Sequence, residues 1–347
     1  MKLTLRQKDI INIITAQQQA PISKIKKQLQ DEVSTPTLNR ELATLVANNH
    51  LLKTGKGRAT SYSISPYYKI FAPLVIADYF DKGPDARKAA TKFNHNLLAV
   101  LEEIDLLTPV EKEHLGGLRQ KYQANISNFP PTLYQKELER LTIELSWKSS
   151  QIEGNTYSLL ETERLFIEKK EADGKPKGDA IMLLNHKDAL NYLLKNRGIA
   201  KELDLRFLQE IHMLLIKDLG VSRNIRSRIV GITGTAYKPL DNEYQIKESL
   251  ERMCTLINAR ENGFEKALLA VMLISYIQPF EDGNKRTGRM ISNALLMANG
   301  ACPLSYRSID SLDYKKAMLL FYEQNSLTLF KQIFIEQNEF SVNNYFQ

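Results

Sequence analysis

The stretch Gln278-Pro279-Phe280-Glu281-Asp282-Gly283-Asn284-Lys285-Arg286-Thr287-Gly288-Arg289 sets acidic residues, a Gly-Asn turn and three cations between two apolar helical segments. Upstream, 264–277 reads as a buried helix, ended by Pro279, which disfavours helical geometry at Gln278. Downstream, Met290, Ile291, Ala294 and Leu295 fall at helical spacing across 285–299, and Gly300 supplies a C-cap. The loop therefore feeds a helix N-terminus, where free N–H groups and the helix dipole favour an anion. Arg286 and Arg289, three apart, are expected on one helix face, gripping phosphate oxygens together. Asp282 stands where it can hold a divalent cation bridging those phosphates. The plainer alternative is an i,i+4 surface pair between Asp282 and Arg286.

The 347 residues suffice for two or three domains, and a hydrophobic fraction of 43% allows sizeable cores. Residues 1–14 mix charged with apolar side chains, unlike a secretory signal. The longest apolar run, 267–277, is too short to span a bilayer. Cys254 and Cys302 lack metal-ligand spacing and are expected as reduced core thiols. These features imply a soluble, cytoplasmic chain with no membrane segment. The net charge of +7 is concentrated: residues 1–66 hold ten Lys or Arg against four acids, and the rest of the chain carries only +1. Such a footprint suits a nucleic-acid-binding module.

Within that basic segment, Leu5, Ile10, Ile11, Ile13 and Ile14 predict a first helix, and Ile22, Ile25 and Leu29 a second beginning at Pro21. Ser34-Thr35-Pro36 offers an N-cap and an N1 proline for a third, with Leu38, Leu42 and Leu45 as its buried stripe. Residues 51–64 read as two strands around a basic, glycine-rich turn. The arrangement resembles a winged helix-turn-helix domain over 1–66. The third helix would then enter the major groove of DNA, with Thr35, Thr37, Asn39 and Arg40 contacting bases or phosphates and Lys56 and Arg58 on the wing. A module used only for protein contacts or dimerisation is the alternative, and a homodimer stays open.

Helical periodicity continues at 85–106, 109–123, 132–152, 179–194, 203–219 and 312–340, broken by Thr108-Pro109 and Pro130-Pro131. The segment 228–237 differs: β-branched and glycine-punctuated, it reads as a short hairpin in an otherwise helical chain. Trp147 and most other aromatics are expected in cores.

The stretch 278–289 resembles the signature loop of the Fic (Fido) family, H-x-F-x-(D/E)-G-N-(G/K)-R-x-x-R. The hairpin at 229–237, after Asn224-Ile225-Arg226, is similar to the flap over that family's active site. Ser149-Ser150-Gln151-Ile152-Glu153-Gly154-Asn155 resembles its inhibitory (S/T)-x-x-x-E-(G/N) helix. The three matches span roughly 145–300 in the family's order. The fold implied is mainly α: a helical core with a short β-hairpin flap, preceded by a small winged-helix α+β domain. The expected divisions are 1–66, helices at 67–144, the core at 145–300, and C-terminal helices at 301–347.

The resemblance implies binding of ATP with Mg2+ and, in most members, transfer of AMP to a hydroxyl side chain of a target protein or of the protein itself. By position, Asp282 would hold the metal, and Gly283, Asn284, Lys285, Arg286, Gly288 and Arg289 would bind the nucleotide. Phe280 would anchor the loop, and Gly231, Ile232, Thr233 and Gly234 would form the flap. Glu153, supported by Ser149 and Gly154, would reach Arg289 and compete with the γ-phosphate for it.

Two positions depart from the pattern. The family's general base is a histidine, and Gln278 stands in its place; a neutral amide has no titration near pH 7. None of the five histidines lies near the motif in sequence, and His212 is expected to be structural. Lys285 replaces the glycine of many AMP-transferring members and resembles the variant of a phosphotransferase branch. Three functions follow: a restrained adenylyltransferase, a non-catalytic nucleotide-binding transcriptional regulator, or a phosphotransferase.

Overall fold

The computed structural model describes residues 3–347 apart from Lys88 and Arg197; Lys2, counted in the basic excess, lies outside them. The N-terminal part runs α1 (Leu5–Gln17), β1 (Gln19–Pro21), α2 (Ile22–Gln28), α3 (Thr35–Ala47), β2 (Leu51–Thr54) and β3 (Ser61–Ile64). Thr4 and Gln7 form a capping box on α1, and Ser34 caps α3 ahead of Pro36. The strands form one antiparallel sheet in the order β1-β3-β2, with Ala20 opposite Tyr62 and Lys53 opposite the same residue on the other side. Strand β1 was not anticipated; it is short and ends at Pro21, which is tolerated at a sheet edge. Ile10, Ile14, Ile25, Leu38, Leu42, Leu45 and Leu51 close a small core of their own.

The remainder is helical: α4 (Pro66–Phe71), α5 (Ile76–Phe80), α6 (Leu97–Glu102), α7 (Pro109–Ser127), α8 (Pro131–Ile152), α9 (Leu159–Glu168) and α10 (Lys177–Lys195). It continues with α11 (Leu205–Ile216), α12 (Glu243–Ala259), α13 (Gly263–Ile277), α14 (Asn284–Ala298), α15 (Ser311–Gln324) and α16 (Thr328–Asn344). A second, larger core gathers the inner faces of most of these helices, with Leu268, Val271, Ile274, Ile291, Leu296, Phe321 and Phe334 among its buried residues, while α9 packs Leu165 and Phe166 into a separate small cluster. Helix α13 is buried around its whole circumference from Gly263 to Ile277, apart from a partly exposed Lys266. Its partner α14 can approach closely because residue 288 is glycine: a Cβ there would lie 3.0 Å from the Val271 carbonyl.

Two expectations fail. Residues 85–106 are not one helix; among the described residues only Leu97–Glu102 is α-helical, and the chain before it is irregular apart from a 3-10 turn at Pro84–Ala86. There the Ala90 N–H reaches the Glu323 carbonyl, the Thr91 carbonyl accepts from Lys238 N–H, and Lys92 bridges Lys238 in parallel. Tertiary pairing has taken the backbone groups that a helix would have used. The flap is likewise no hairpin: among the described residues, 227–236 holds no strand, only a turn around Thr233-Gly234. An isolated two-stranded ribbon is marginal in water, and Gly231 and Gly234 weaken it further.

Candidate active site

The loop 278–283 joins α13 to α14 and closes one wall of a cleft of about 510 Å³. Gln278 caps α13 in the left-handed region, φ 52° and ψ 60°, an unusual conformation for a residue with a side chain. Backbone and side-chain hydrogen bonds together hold it there. Its N–H reaches the Ile274 carbonyl, and its Nε2 donates to the Ser275 carbonyl at 2.6 Å. Its Oε1 accepts from Asn284 Nδ2 at 2.9 Å, and its backbone carbonyl accepts from Arg226 Nε at 2.6 Å.

Asn284 completes the loop internally. Its Oδ1 accepts from Phe280 N–H at 2.9 Å, and its Nδ2 also donates to the Phe280 carbonyl at 2.8 Å. Phe280 is fully buried and stacks on His212, centroids 3.5 Å apart. Gly283, φ 77°, then starts α14; a Cβ there would meet Ile216 at 3.2 Å. No side chain caps this end and no acid lies in its first turn, so the N–H groups of the first turn lack helical partners at the cleft. Arg286 is buried; its Nη2 donates to Asp282 at 3.0 Å and its Nη1 to the Leu215 carbonyl at 3.3 Å. Asp282 itself is exposed.

Arg289 lies elsewhere. It is 1% exposed and does not line the cleft; its Nε donates to Ser149 Oγ at 2.9 Å and its Nη2 to the Ser149 carbonyl at 2.8 Å. The same Nη2 meets Glu153 Oε1 at 3.0 Å, and Lys285 Nζ meets Glu153 Oε2 at 3.0 Å. Burial opposes ionisation of Glu153, yet Arg289 and Lys285 outweigh it and hold the carboxyl at about 2. Glu153 ends α8, and the chain turns at Gly154, φ 102°. So the two arginines do not grip one anion as this structure stands: Arg286 faces the cleft and Arg289 faces α8. Gly288 also misses the cleft, being packed on α13.

Across the cleft stand Val230, Gly231, Ile232 and Thr233 of the flap, and Leu312, Tyr314, Lys315, Met318, Leu319 and Tyr322 of α15. Gly234 sits past the lining residues at the turn. The histidines supply no base here. His212 is fully buried, with Nε2 donating to the Ser222 carbonyl and Nδ1 facing the Thr287 hydroxyl at 3.2 Å. Burial, aided by Arg286, pushes it down to about 4. His186 is buried as well, driven by desolvation to about 3; its Nδ1 donates to Met182 O, leaving Nε2 to accept from Ser149.

Two residues that matter were given no role of their own from sequence, although Arg226 stood in the stretch leading into the flap. Arg226, 2% exposed, ties both ends of the flap to the loop, donating to the carbonyls of Arg228, Leu240 and Gln278. Tyr314 packs under Arg289, whose guanidinium carbon is 5.2 Å from its ring centroid. No local pattern marks either, because their partners are far away in sequence or on the backbone. The expected DNA-contacting side chains Thr35, Asn39, Arg40, Lys56 and Arg58 are exposed, while Thr37 is half-buried against Ser34.

A helical chain with an anion-ready loop between two buried helices, facing a flap, is the class that fold and site define. Residues 202–296 match the model of the Fic/DOC family. It is 28% identical over 306 residues to a protein adenylyltransferase Fic of Nematostella vectensis, covering 82% of this chain and 71% of that one. A relative of the same name from Culex quinquefasciatus is 29% identical over 170 residues, and the chain spans only 33% of its length. Among solved structures, Fic-1 from C. elegans superposes with a TM-score of 0.59 at 20% identity, over 68% of this chain and 72% of that one. A Fic domain containing signaling protein from Bacteroides thetaiotaomicron gives 0.56 at 18% identity, over 66% and 94%. These likenesses establish the fold. Among the described residues, no helix is long and apolar enough to cross a membrane.

Proposed function

We propose that this chain binds ATP in the cleft and transfers AMP to a hydroxyl side chain of a protein, restrained by Glu153 and slowed by Gln278. The observation that carries the reading is the placement of Glu153: it engages Lys285 and Arg289 beside an open helix N-terminus built for phosphate. The cleft volume falls within the range of nucleotide sites. Phosphates would lie on the first turn of α14 with Arg286, and the base and ribose against α15 and the flap.

No group of three or more His, Cys, Asp or Glu among the described residues could cage a metal. A single exposed carboxylate fits Mg2+ nonetheless, since that ion keeps its waters and shares substrate phosphates. Asp282 would hold it, and the ion would neutralise phosphate charge. In the transfer, the acceptor oxygen attacks the α-phosphorus, the bond to pyrophosphate breaks, and the hydroxyl proton must leave. Gln278 cannot take that proton, and both ends of its amide are already engaged. It serves as a structural pin of the loop.

Incubation with α-labelled and γ-labelled ATP, alongside Glu153→Gly, tests the reading. Protein-bound label from α-ATP alone supports it, and label from γ-ATP alone indicates a phosphotransferase. Nucleotide binding without either label indicates a non-catalytic regulator.

A second reading concerns residues 1–66, where exposed Asn39 and Arg40 on α3 and Lys56 and Arg58 between β2 and β3 suit a DNA duplex. Binding to phosphates predicts an affinity that falls steeply with salt. A gel shift of the full chain whose affinity ignores salt would sink it.

A further inference from the structure

The segment leading from α5 to α6 passes the flap and is fastened there by one buried arginine. Arg87 Nη2 donates to Glu323 Oε1 at 2.9 Å and also to the Gly234 carbonyl at the flap's turn. The paired side chains are 5% and 0% exposed. The guanidinium lies 5.8 and 5.2 Å from the rings of Tyr79 and Phe80. The Tyr79 hydroxyl donates to the other Glu323 oxygen at 2.7 Å, which, after burial itself, helps push that phenol up to about 12. Backbone hydrogen bonds extend the seam: Ala90 N–H to the Glu323 carbonyl at 2.8 Å, and Lys238 N–H to the Thr91 carbonyl at 3.2 Å.

Three elements thus meet at Arg87. Glu323 follows Tyr322, which lines the cleft, and Gly234 follows the lining residues 230–233. The flap has no strand ladder to stiffen it, so its position depends on external anchors. Arg226 holds its two ends. A charged donor makes a strong bond to a carbonyl, here at the exposed turn of the flap, and a buried carboxylate requires its cation. We propose that Arg87 is a positioning residue of the flap, holding 230–233 over the cleft by clamping the Gly234 carbonyl against Glu323. The consequence for catalysis rests on the transfer reading above; the clamp itself does not.

Hydrogen exchange on the full chain tests the clamp, read at the amides of Tyr237 and Lys238 at the end of the flap, which are hydrogen-bonded to Thr235 Oγ1 and the Thr91 carbonyl. Arg87→Ala should speed exchange there by about tenfold, while α13 and α14 stay protected. Because that change strands Glu323, a second variant, Arg87→Ala with Glu323→Gln, removes the uncompensated charge. It should recover thermal stability yet keep the flap fast. Flap exchange at the wild-type rate in the folded double variant would overturn the proposal, as would a uniform rise that includes α13 and α14. Failure of the wild-type protein to bind ATP would count against the transfer reading and leave the exchange result standing.

Discussion

Lys285 and Glu153 meet as an ion pair, Nζ to Oε2 at 3.0 Å, joining the start of α14 to the end of α8. The other carboxylate oxygen is held by Arg289 at the same distance. The two cations differ in setting: the Lys285 side chain is 27% exposed and that of Arg289 1%. Solvent screens the first pair, whereas the second is a buried charge that must be matched.

Lys285→Ala should therefore cost little, about 0.5 kcal/mol in denaturant unfolding. Glu153→Gln leaves Arg289 without its anion and should cost about 3 kcal/mol. Equal losses from both variants would contradict the division.

Removing the carboxylate should also release both cations to phosphate. Calorimetry of Glu153→Gly is expected to show ATP affinity raised by roughly tenfold, the worth of one charged hydrogen bond. Unchanged affinity would mean that Glu153 does not compete with nucleotide.

Restoring the missing base isolates the chemical deficit. In the Glu153→Gly background, Gln278→His should raise transfer of α-label by on the order of 10²-fold or more. The imidazole gives up one hydrogen bond within the loop, so a stability loss of about 1 kcal/mol is expected alongside. No gain in a folded protein would show that the acceptor's proton leaves by another route.

Acid stability has a defined window. The folded values of His212, about 4, and His186, about 3, both lie below the ordinary 6.5. The unfolded chain thus takes up protons first, so stability is full above 6.5 and is lost as pH falls toward those values. Glu153 adds a further loss between 4.5 and about 2. Thermal midpoints through this interval should fall steadily, and His212→Gln should flatten the drop between 6.5 and about 4.

At the other end of the chain, Lys56→Ala and Arg58→Ala should weaken duplex binding similarly for all sequences. Each phosphate-neutralising cation removed should reduce the slope of log affinity against log salt by about 1. An unaltered slope would remove those side chains from the interface.

Much of the fold was open to local reading because helix spacing and caps are short-range signals. The stripe Leu38, Leu42 and Leu45 is buried, and α7, α8, α10, α13 and α14 lie within a few residues of their expected bounds. Helix α9 escaped notice although Ser158 and Glu161 form a capping box visible in the sequence. The region 85–106 misled because its backbone is claimed by α15 and the flap, more than a hundred residues away in sequence.

By itself the sequence determined that 278–289 is an anion-ready turn into a helix, lacking a histidine, in a chain whose basic charge is gathered at one end. Spacing and residue type suffice for that, since both act within a helical turn or two. Tertiary structure alone decided that Arg289 turns to Ser149 and Glu153 while Arg286 faces the cleft, and that Lys285 binds Glu153. It alone showed that the Gln278 amide is consumed by Asn284 and Ser275. Which partner a buried charge or amide takes depends on what packing brings within about 3 Å, and in folded chains those groups often come from distant segments.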